Sequence, residues 1–325
     1  MKHPRRRFLY LAAAAAAFPA ASRLAKAQTY PNRPVRFIVS FAAGGPNDIV
    51  ARLVGQFLSE KMGQQFVIEN KVGAGGNIGM QAVLSASPDG YTIGFVTPNN
   101  AINATLYDNL PFDFIRDSTP VAGLMRLTNV MVVPPSLPVT SVAEFIAYVK
   151  ANPAMVNMAS GGTGTSPHMS GELFKQMAGI NMIHVPYRGT GPAMNDLLPG
   201  RVQVMFDNLP GSIEHIRTAK LRALGVTVPK RWDALADVPA IAETLPGYEV
   251  TVWYGISAPK ATPPDIVETL NAAVTAVLAD PKLKLRLAGL GGVPMPMLPA
   301  EFGKLIADET EKWAKVVKLS GVKPE

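Results

Sequence analysis

The sequence contains no cysteine. That excludes disulfides, thiolate metal sites, a cysteine nucleophile and a lipid-modified N-terminal cysteine. Histidine is scarce: beyond position 3 only His168, His184 and His215 occur, and their spacing is unlike a metal site. Enzyme signatures are missing as well, with no G-x-S-x-G elbow, no G-x-x-x-x-G-K-[ST] phosphate loop and no H-E-x-x-H metal helix. The glycines of Gly73-Ala-Gly-Gly-Asn-Ile-Gly79 are spaced G-x-G-x-x-x-G, one residue too long for a dinucleotide fingerprint. No internal repeat is present, and no run of 18 apolar residues occurs beyond the N-terminus.

The first 27 residues read as an export signal. Arg5-Arg6-Arg7-Phe8-Leu9 fits a twin-arginine pattern, Leu9 to Ala21 is a short Ala-rich apolar run broken by Pro19, and Ala25-Lys26-Ala27 is an A-x-A cleavage site. Cleavage is expected before Gln28, placing the mature protein in the periplasm. The signal carries six of the 31 Lys and Arg residues and no acid, which leaves 25 bases against 24 acids in the mature chain. A clustered basic face of the kind a nucleic acid needs is therefore not supported by composition. About 298 mature residues, with 48% of the whole chain apolar, suffice for two domains.

Phe37 to Arg52 is the stretch around which the chain is organised: a buried strand runs through Gly44-Gly45 into a helix opened by Pro46, with Ile49, Leu53, Val54 and Phe57 on one face. Such a junction aims unpaired backbone N–H groups and the positive end of a helix dipole at one point, which suits an anion. Strands are expected at Arg36–Phe41, Gln65–Glu69 and Tyr91–Val96 with a helix at Ile78–Ala86 between them, an alternation that implies parallel βαβ units. The polar Thr97-Pro98-Asn99-Asn100 comes directly after the third strand, where open α/β sheets bind ligands. Val121 to Val133, a long apolar run without charge except Arg126, reads as a crossing into a second domain. There the alternation repeats, with strands at Val156–Ala159, Met182–Val185, Val202–Phe206 and Leu221–Val226. Helices are expected at Ser141–Ala151, Pro167–Ala178, Gly191–Leu198 and Pro210–Thr218. Pro246–Ala258 is the return crossing, and three proline-opened helices end the chain at Pro263–Ala279, Pro281–Leu290 and Pro299–Leu319. Two α/β domains joined by two crossings would hinge and close on a ligand.

Three Gly-rich junctions, Ala42–Asp48, Gly73–Gly79 and Ser160–Ser166, are thus expected to face one another across a cleft and hold a small carboxylate. Asp48 suits first-turn capping better than ligand contact. Asp207 could accept from a ligand hydroxyl or ammonium, or serve as a turn residue with Asn208. His168 starts the helix after the third loop. Arg188 could clamp a carboxylate, although a loop arginine is more often solvated.

These residues converge on a family. Tyr30-Pro31-Asn32-Arg33-Pro34-Val35-Arg36, Gly44-Gly45-Pro46-Asn47-Asp48, Glu69 to Gly79, Pro88-Asp89-Gly90-Tyr91-Thr92, Gly164-Thr165-Ser166-Pro167-His168, Val185-Pro186-Tyr187-Arg188-Gly189 and Met205-Phe206-Asp207-Asn208 occur in the family's order over residues 30 to 320. On them the chain resembles the substrate-binding proteins of tripartite tricarboxylate transporters, the Bug family of periplasmic receptors. The resemblance implies a type II periplasmic-binding-protein fold: two α/β domains, residues 28–128 with 250–325 and residues 129–249, joined by two crossing strands. It implies a monomeric, cofactor-free, metal-free receptor that takes up a mono-, di- or tricarboxylate and delivers it to a membrane permease of one large and one small subunit. Loop N–H groups and hydroxyls would hold the carboxylate, often with ordered waters. Mapped here, the resemblance places Ala42, Ala43, Gly44, Gly45, Asp48, Gly75, Asn77, Thr97 and Asn99 on one wall. Ser160, Gly161, Thr163, Gly164, Thr165, His168, Tyr187 and Asp207 form the other. Arg188 departs from the family's usual lysine, and Pro46-Asn47 from its usual Ala-Thr. Two other roles compete with transport: an exported hydrolase or isomerase using His168 and Asp207, and a ligand-dependent partner of a membrane sensor.

Overall fold

The computed structural model describes residues 30–153 and 155–323; the signal and its cleavage point lie outside them. In chain order the strands are β1 (Val35–Val39), β2 (Phe66–Asn70), β3 (Thr92–Val96), β4 (Ser118–Val133), β5 (Asn157–Ser160), β6 (Ile183–Pro186), β7 (Val204–Asn208), β8 (Arg222–Val226), β9 (Thr251–Pro259) and β10 (Val293–Pro294). They join in one mixed sheet of order β2-β1-β3-β9-β4-β7-β5-β6, with β8 and β10 also paired to β4. Pairing is parallel among β2, β1 and β3 and among β6, β5 and β7, and antiparallel wherever β4 or β9 takes part. The sheet divides into two lobes where β4 changes partner: Thr128 is its last residue on β9 and Asn129 its first on β7.

Period-two alternation builds the first lobe. Val35, Phe37 and Val39 enter one core with Val50, Leu53, Val54 and Leu58 of the helix Pro46–Met62 and Leu270 and Val274 of the helix Pro264–Ala279. Ile38, between them, faces Met80, Val83 and Phe302 on the other side. β4 is buried on both faces after the crossing: Met131 and Val133 join one core of the second lobe, Val130 and Val132 the other. A strand covered twice needs an unbroken apolar run, which is why its sequence shows no alternation.

The crossing is polar at one point. Asn129 N–H donates to Thr227 Oγ1 at 3.1 Å, its Nδ2 donates to Ser170 Oγ at 2.9 Å, and its Oδ1 accepts from Asn208 Nδ2. The return passes Thr227, where Val250 N–H donates to Thr227 O at 2.9 Å and Thr227 Oγ1 donates to Val250 O at 2.8 Å. A third element links the lobes. The last helix, Pro299–Ser320, places Phe302 and Ile306 in the first-lobe core and Trp313 and Val317 in that of the second.

Most expected elements form within a residue or two of their expected bounds. Three differences matter. Thr97–Asn100, expected as a polar segment, starts the helix Pro98–Leu106: Pro98 sits at its first turn and Asn100 Oδ1 accepts from Thr97 N–H at 3.0 Å. β7 runs on to Asn208, so Asp207 belongs to the strand and not to a turn. The helix Phe114–Asp117 and strand β10 are too short to leave a periodic signal. Among the described residues no helix is long and apolar enough to cross a membrane.

Candidate functional site

Five helices begin at the junction of the lobes: Pro46–Met62 and Pro98–Leu106 from the first, Ser166–Ala178, Thr190–Leu197 and Leu209–Arg217 from the second. Each of the five starts contributes lining to a central cavity of about 20 Å³, through Asn47, Asn99, Thr165, Thr190 and Asn208 among others, and no charged side chain lines it. The first four N–H groups of a helix have no intrahelical partner, and each helix start carries roughly half a positive charge. Prolines at the starts remove some of these donors and fix the approach of the rest. The result is positive potential without lysine or arginine, a setting for a small anion.

The lobes meet closely around this cavity. Ala42 N–H donates to Arg188 O at 3.3 Å, and Ser166 N–H donates to Asn99 Oδ1 at 3.0 Å. Glycines permit the approach: a Cβ on Gly191 would lie a tight 3.2 Å from Gly45 N, and one on Gly75 would collide with Thr163 O. About 20 Å³ accommodates one water but no organic acid. Larger cavities adjoin on either side. One of about 400 Å³ is lined by Ala43, Gly44, Thr190, Gly191, Asp207 and His215; one of about 510 Å³ by Gly75, Tyr107, Gly162, Thr163, Tyr187 and Arg188.

Of the sequence-derived candidates, Gly45, Asn99, Gly161 and Thr165 line the central cavity. Ala43, Gly44 and Asp207 line the smaller flanking one, and Gly75, Gly161, Thr163 and Tyr187 the larger. Ala42 spans the lobes through its N–H. Others stand behind the surface. Asp48 accepts from Gly44 N–H at 3.0 Å, Arg52 Nε at 2.9 Å and Asn70 Nδ2 at 2.9 Å, so it closes the glycine turn from within. Burial opposes its ionisation, but those donors hold its carboxyl below the usual range. Asn77 Oδ1 accepts from Asn103 Nδ2, and Thr97 caps its helix through its backbone.

The third loop is stitched from beneath by the residues expected to face the ligand. Ser160 Oγ accepts from Gly162 N–H at 3.1 Å and lies 2.6 Å from His184 Nε2. His168 Nδ1 accepts from Gly164 N–H at 3.2 Å, its ring stacks on His184 at 3.8 Å, and Nε2 lies 3.6 Å from Glu172. Burial, and then the neighbouring His168 ring, push His184 down to about 3. Burial favours the neutral form of Glu172, yet hydrogen bonds from His168 and Lys175 bring its pKa to about 2. His168 lines none of the three cavities; it preorganises the loop that does.

Thr190 and Asn208 are site residues absent from the sequence-derived set. A signal existed for both: Gly189-Thr190-Gly191-Pro192 and Asn208-Leu209-Pro210 repeat the pattern by which Gly45-Pro46 and Ser166-Pro167 announce a helix start. Asp207 is wholly buried, and its Oδ2 accepts from Ser212 Oγ at 2.7 Å. Burial raises its pKa to about 6 against the opposing pull of Ser212, Thr190 and the Asn208 backbone. Among the described residues no three His, Asp or Glu side chains gather where a metal could sit.

A family model described as the tripartite tricarboxylate transporter family receptor matches residues 50–322. Among solved structures, a Rhodopseudomonas palustris protein with adipate is 39% identical, covers 91% of this chain and 100% of its own, and has a TM-score of 0.88. The periplasmic binding protein BugD is 34% identical over 91% and 100% of the two chains, also at 0.88. MatC from Rhodopseudomonas palustris with bound malate is 33% identical over 89% and 100%, at 0.85. These matches share the two-domain α/β architecture of periplasmic binding proteins.

Proposed function

The chain belongs to the tripartite tricarboxylate transporter receptor family, a family of solute-binding receptors and not of catalysts, and we propose that it captures a small organic acid between its lobes and hands it to a membrane permease of one large and one small subunit. The lobes take residues 28–128 with 250–325 and residues 129–249. The protein works in the periplasm as a monomer, after cleavage before Gln28.

One observation carries the reading: five helix starts converge on a cavity with no charged lining. A carboxylate there gains hydrogen bonds from N–H groups and hydroxyls that are already oriented, so little conformational entropy is lost on binding. Candidate contacts are the first-turn N–H groups behind Gly45, the Asn99 and Asn208 amides, and the Thr165 and Thr190 hydroxyls. Ser166 N–H, held by Asn99 in the closed lobes, becomes a further donor when they part. Relatives with bound adipate and malate support the solute class. Because the closed cavity is smaller than any such acid, capture requires the lobes to open about β4, β9 and the last helix.

A thermal-melt screen of organic acids on the mature chain tests this. A ligand at 100 times its dissociation constant adds about 2.7 kcal/mol of stability. At least one small carboxylate is expected to raise the melting temperature and to be recovered chemically unchanged; turnover of the acid, or no shift by any carboxylate, would refute the reading.

A further inference from the structure

The flanking cavity of about 400 Å³ sets beside the anchor residue Thr190 a buried acid, Asp207, that the carboxylate anchor does not use. Asp207 reaches it with 0% of its surface exposed and Thr190 with 7%. Thr190 stands near enough to favour the charged form of Asp207, and Ser212 satisfies Asp207 Oδ2. Even so, Asp207 Oδ1 and Thr190 Oγ1 have no partner in hydrogen-bond geometry, and neither does the nearby Tyr254 hydroxyl. No lysine or arginine lines this cavity to neutralise the acid. Asp207 Oδ1 is therefore a buried acceptor lining the cavity with no donor fixed in hydrogen-bond geometry, and the Thr190 hydroxyl beside it can accept as well as donate.

The central cavity connects the two features, because Thr190 and Gly45 line both. A solute whose carboxylate sits at the helix starts can extend past Gly45 toward Asp207. A second carboxylate there would meet an acid with no balancing base, whereas a hydroxyl or ammonium would supply the missing donor. The cavity on the opposite side has the reverse character: Arg188 lines it and no acid does. Polarity thus orients the solute, acid groups toward the anchor and Arg188, donor group toward Asp207.

We propose, building on the receptor reading above, that Asp207 and Thr190 form a donor-seeking subsite, so that this receptor selects hydroxy or amino acids over the corresponding unsubstituted carboxylates. Discrimination of this kind is large when a buried polar group is left unpaired by the wrong ligand.

Isothermal titration of the mature chain tests it with propanoate, butanedioate, pentanedioate and hexanedioate, each beside its 2-hydroxy and 2-amino derivative. At a length that binds, the hydroxy or the amino derivative is expected to bind at least tenfold more tightly than the parent acid, and which of the two does so identifies the donor. That ratio is expected to fall to within about twofold in Asp207→Ala, and to fall in Thr190→Val, which removes one oxygen while keeping the shape and serves if the alanine variant does not fold. Equal affinity for parent acid and both derivatives overturns the inference while leaving the receptor intact, as does a ratio unchanged in the variants, since a merely structural Asp207 would weaken all ligands alike. Binding confined to carboxylates outside these series overturns it too. If no carboxylate of any kind binds, the receptor reading itself falls.

Discussion

At Gly45 the backbone has φ −81° and ψ 170°, an extended conformation open to any residue, and an added Cβ would make only ordinary contacts within its own lobe. Its branches would instead enter the gap toward Gly191 and Thr190. Gly45→Val is therefore expected to melt within about 3 °C of the parent, roughly 1 kcal/mol for a chain of this size, yet to bind acid at least tenfold more weakly by titration. Asp207 gives a second residue-scale prediction. Its folded pKa of about 6 lies above the ordinary 3.8, so the folded state holds its proton longer than the unfolded chain. Stability from this group is lost as pH rises from about 4 to 6, by about 3 kcal/mol. His184 and Glu172 act with the opposite sign, losing stability as pH falls through the region below 6.5 and below 4.5 respectively. The difference between parent and Asp207→Asn isolates the Asp207 contribution: in denaturant titrations the variant should gain on the parent between pH 4 and 6.5 and hold that gain above. A flat difference would show Asp207 to be solvated. The part Asp48 plays at its turn was legible in the sequence, because Gly44 and Arg52 lie within four residues of it. The orientation of His168 was not: Gly164 and Glu172 are equally near, but the ring is fixed by stacking on His184, a strand residue the sequence does not bring to it.

Helices explain why the chemistry gathers where it does. Their starts are legible as proline one to three residues after Gly, Thr or Asn, as at Gly45-Pro46 and Thr165-Ser166-Pro167, whereas the junction Gly73–Gly79 has no proline and was readable from its glycines alone. The helix Pro98–Leu106 has the same proline signal in Thr97-Pro98, but Pro98, Asn99 and Asn100 have the composition of a loop, and the Asn100 bond back to Thr97 is what marks the segment as a helix start. The last helix shows a different limit. Its amphipathic face is plain in the sequence, but periodicity says which face is buried, not that one face is shared between two lobes. Midway along it Glu309, buried to 8% exposure, accepts from Trp253 Nε1 at 3.3 Å and Trp313 Nε1 at 3.1 Å, tying the return crossing to the helix. Glu309→Ala would leave both buried indole N–H groups unpaired, at about 1–3 kcal/mol each. A loss of about 2–5 kcal/mol in urea unfolding is expected, with Glu309→Gln losing less because its amide oxygen still accepts. Equal stability of all three proteins would mean that this clamp contributes nothing.

From residue 28 onward the chain is almost neutral, and the positive potential between its lobes comes from the arrangement of backbone dipoles. Fold class and the two crossings were legible because buried strands and helix starts leave local patterns; the junction of the lobes was not, since Ala42 with Arg188 and Asn99 with Ser166 meet across more than 60 residues of sequence. Arg188 contributes its backbone to that junction while its side chain is exposed, so Arg188→Ala is expected to change affinity for a monocarboxylate by less than threefold. The central claim is that a carboxylate is anchored between the lobes by helix starts alone. The most direct test is the melting temperature of the mature chain with the best-binding acid and, at the same concentration, with that acid's primary amide. The acid should raise the melting temperature by several degrees in the parent and scarcely in Gly45→Val, while the neutral amide leaves both unmoved. Equal shifts by acid and amide, or an undiminished shift in Gly45→Val, would contradict it.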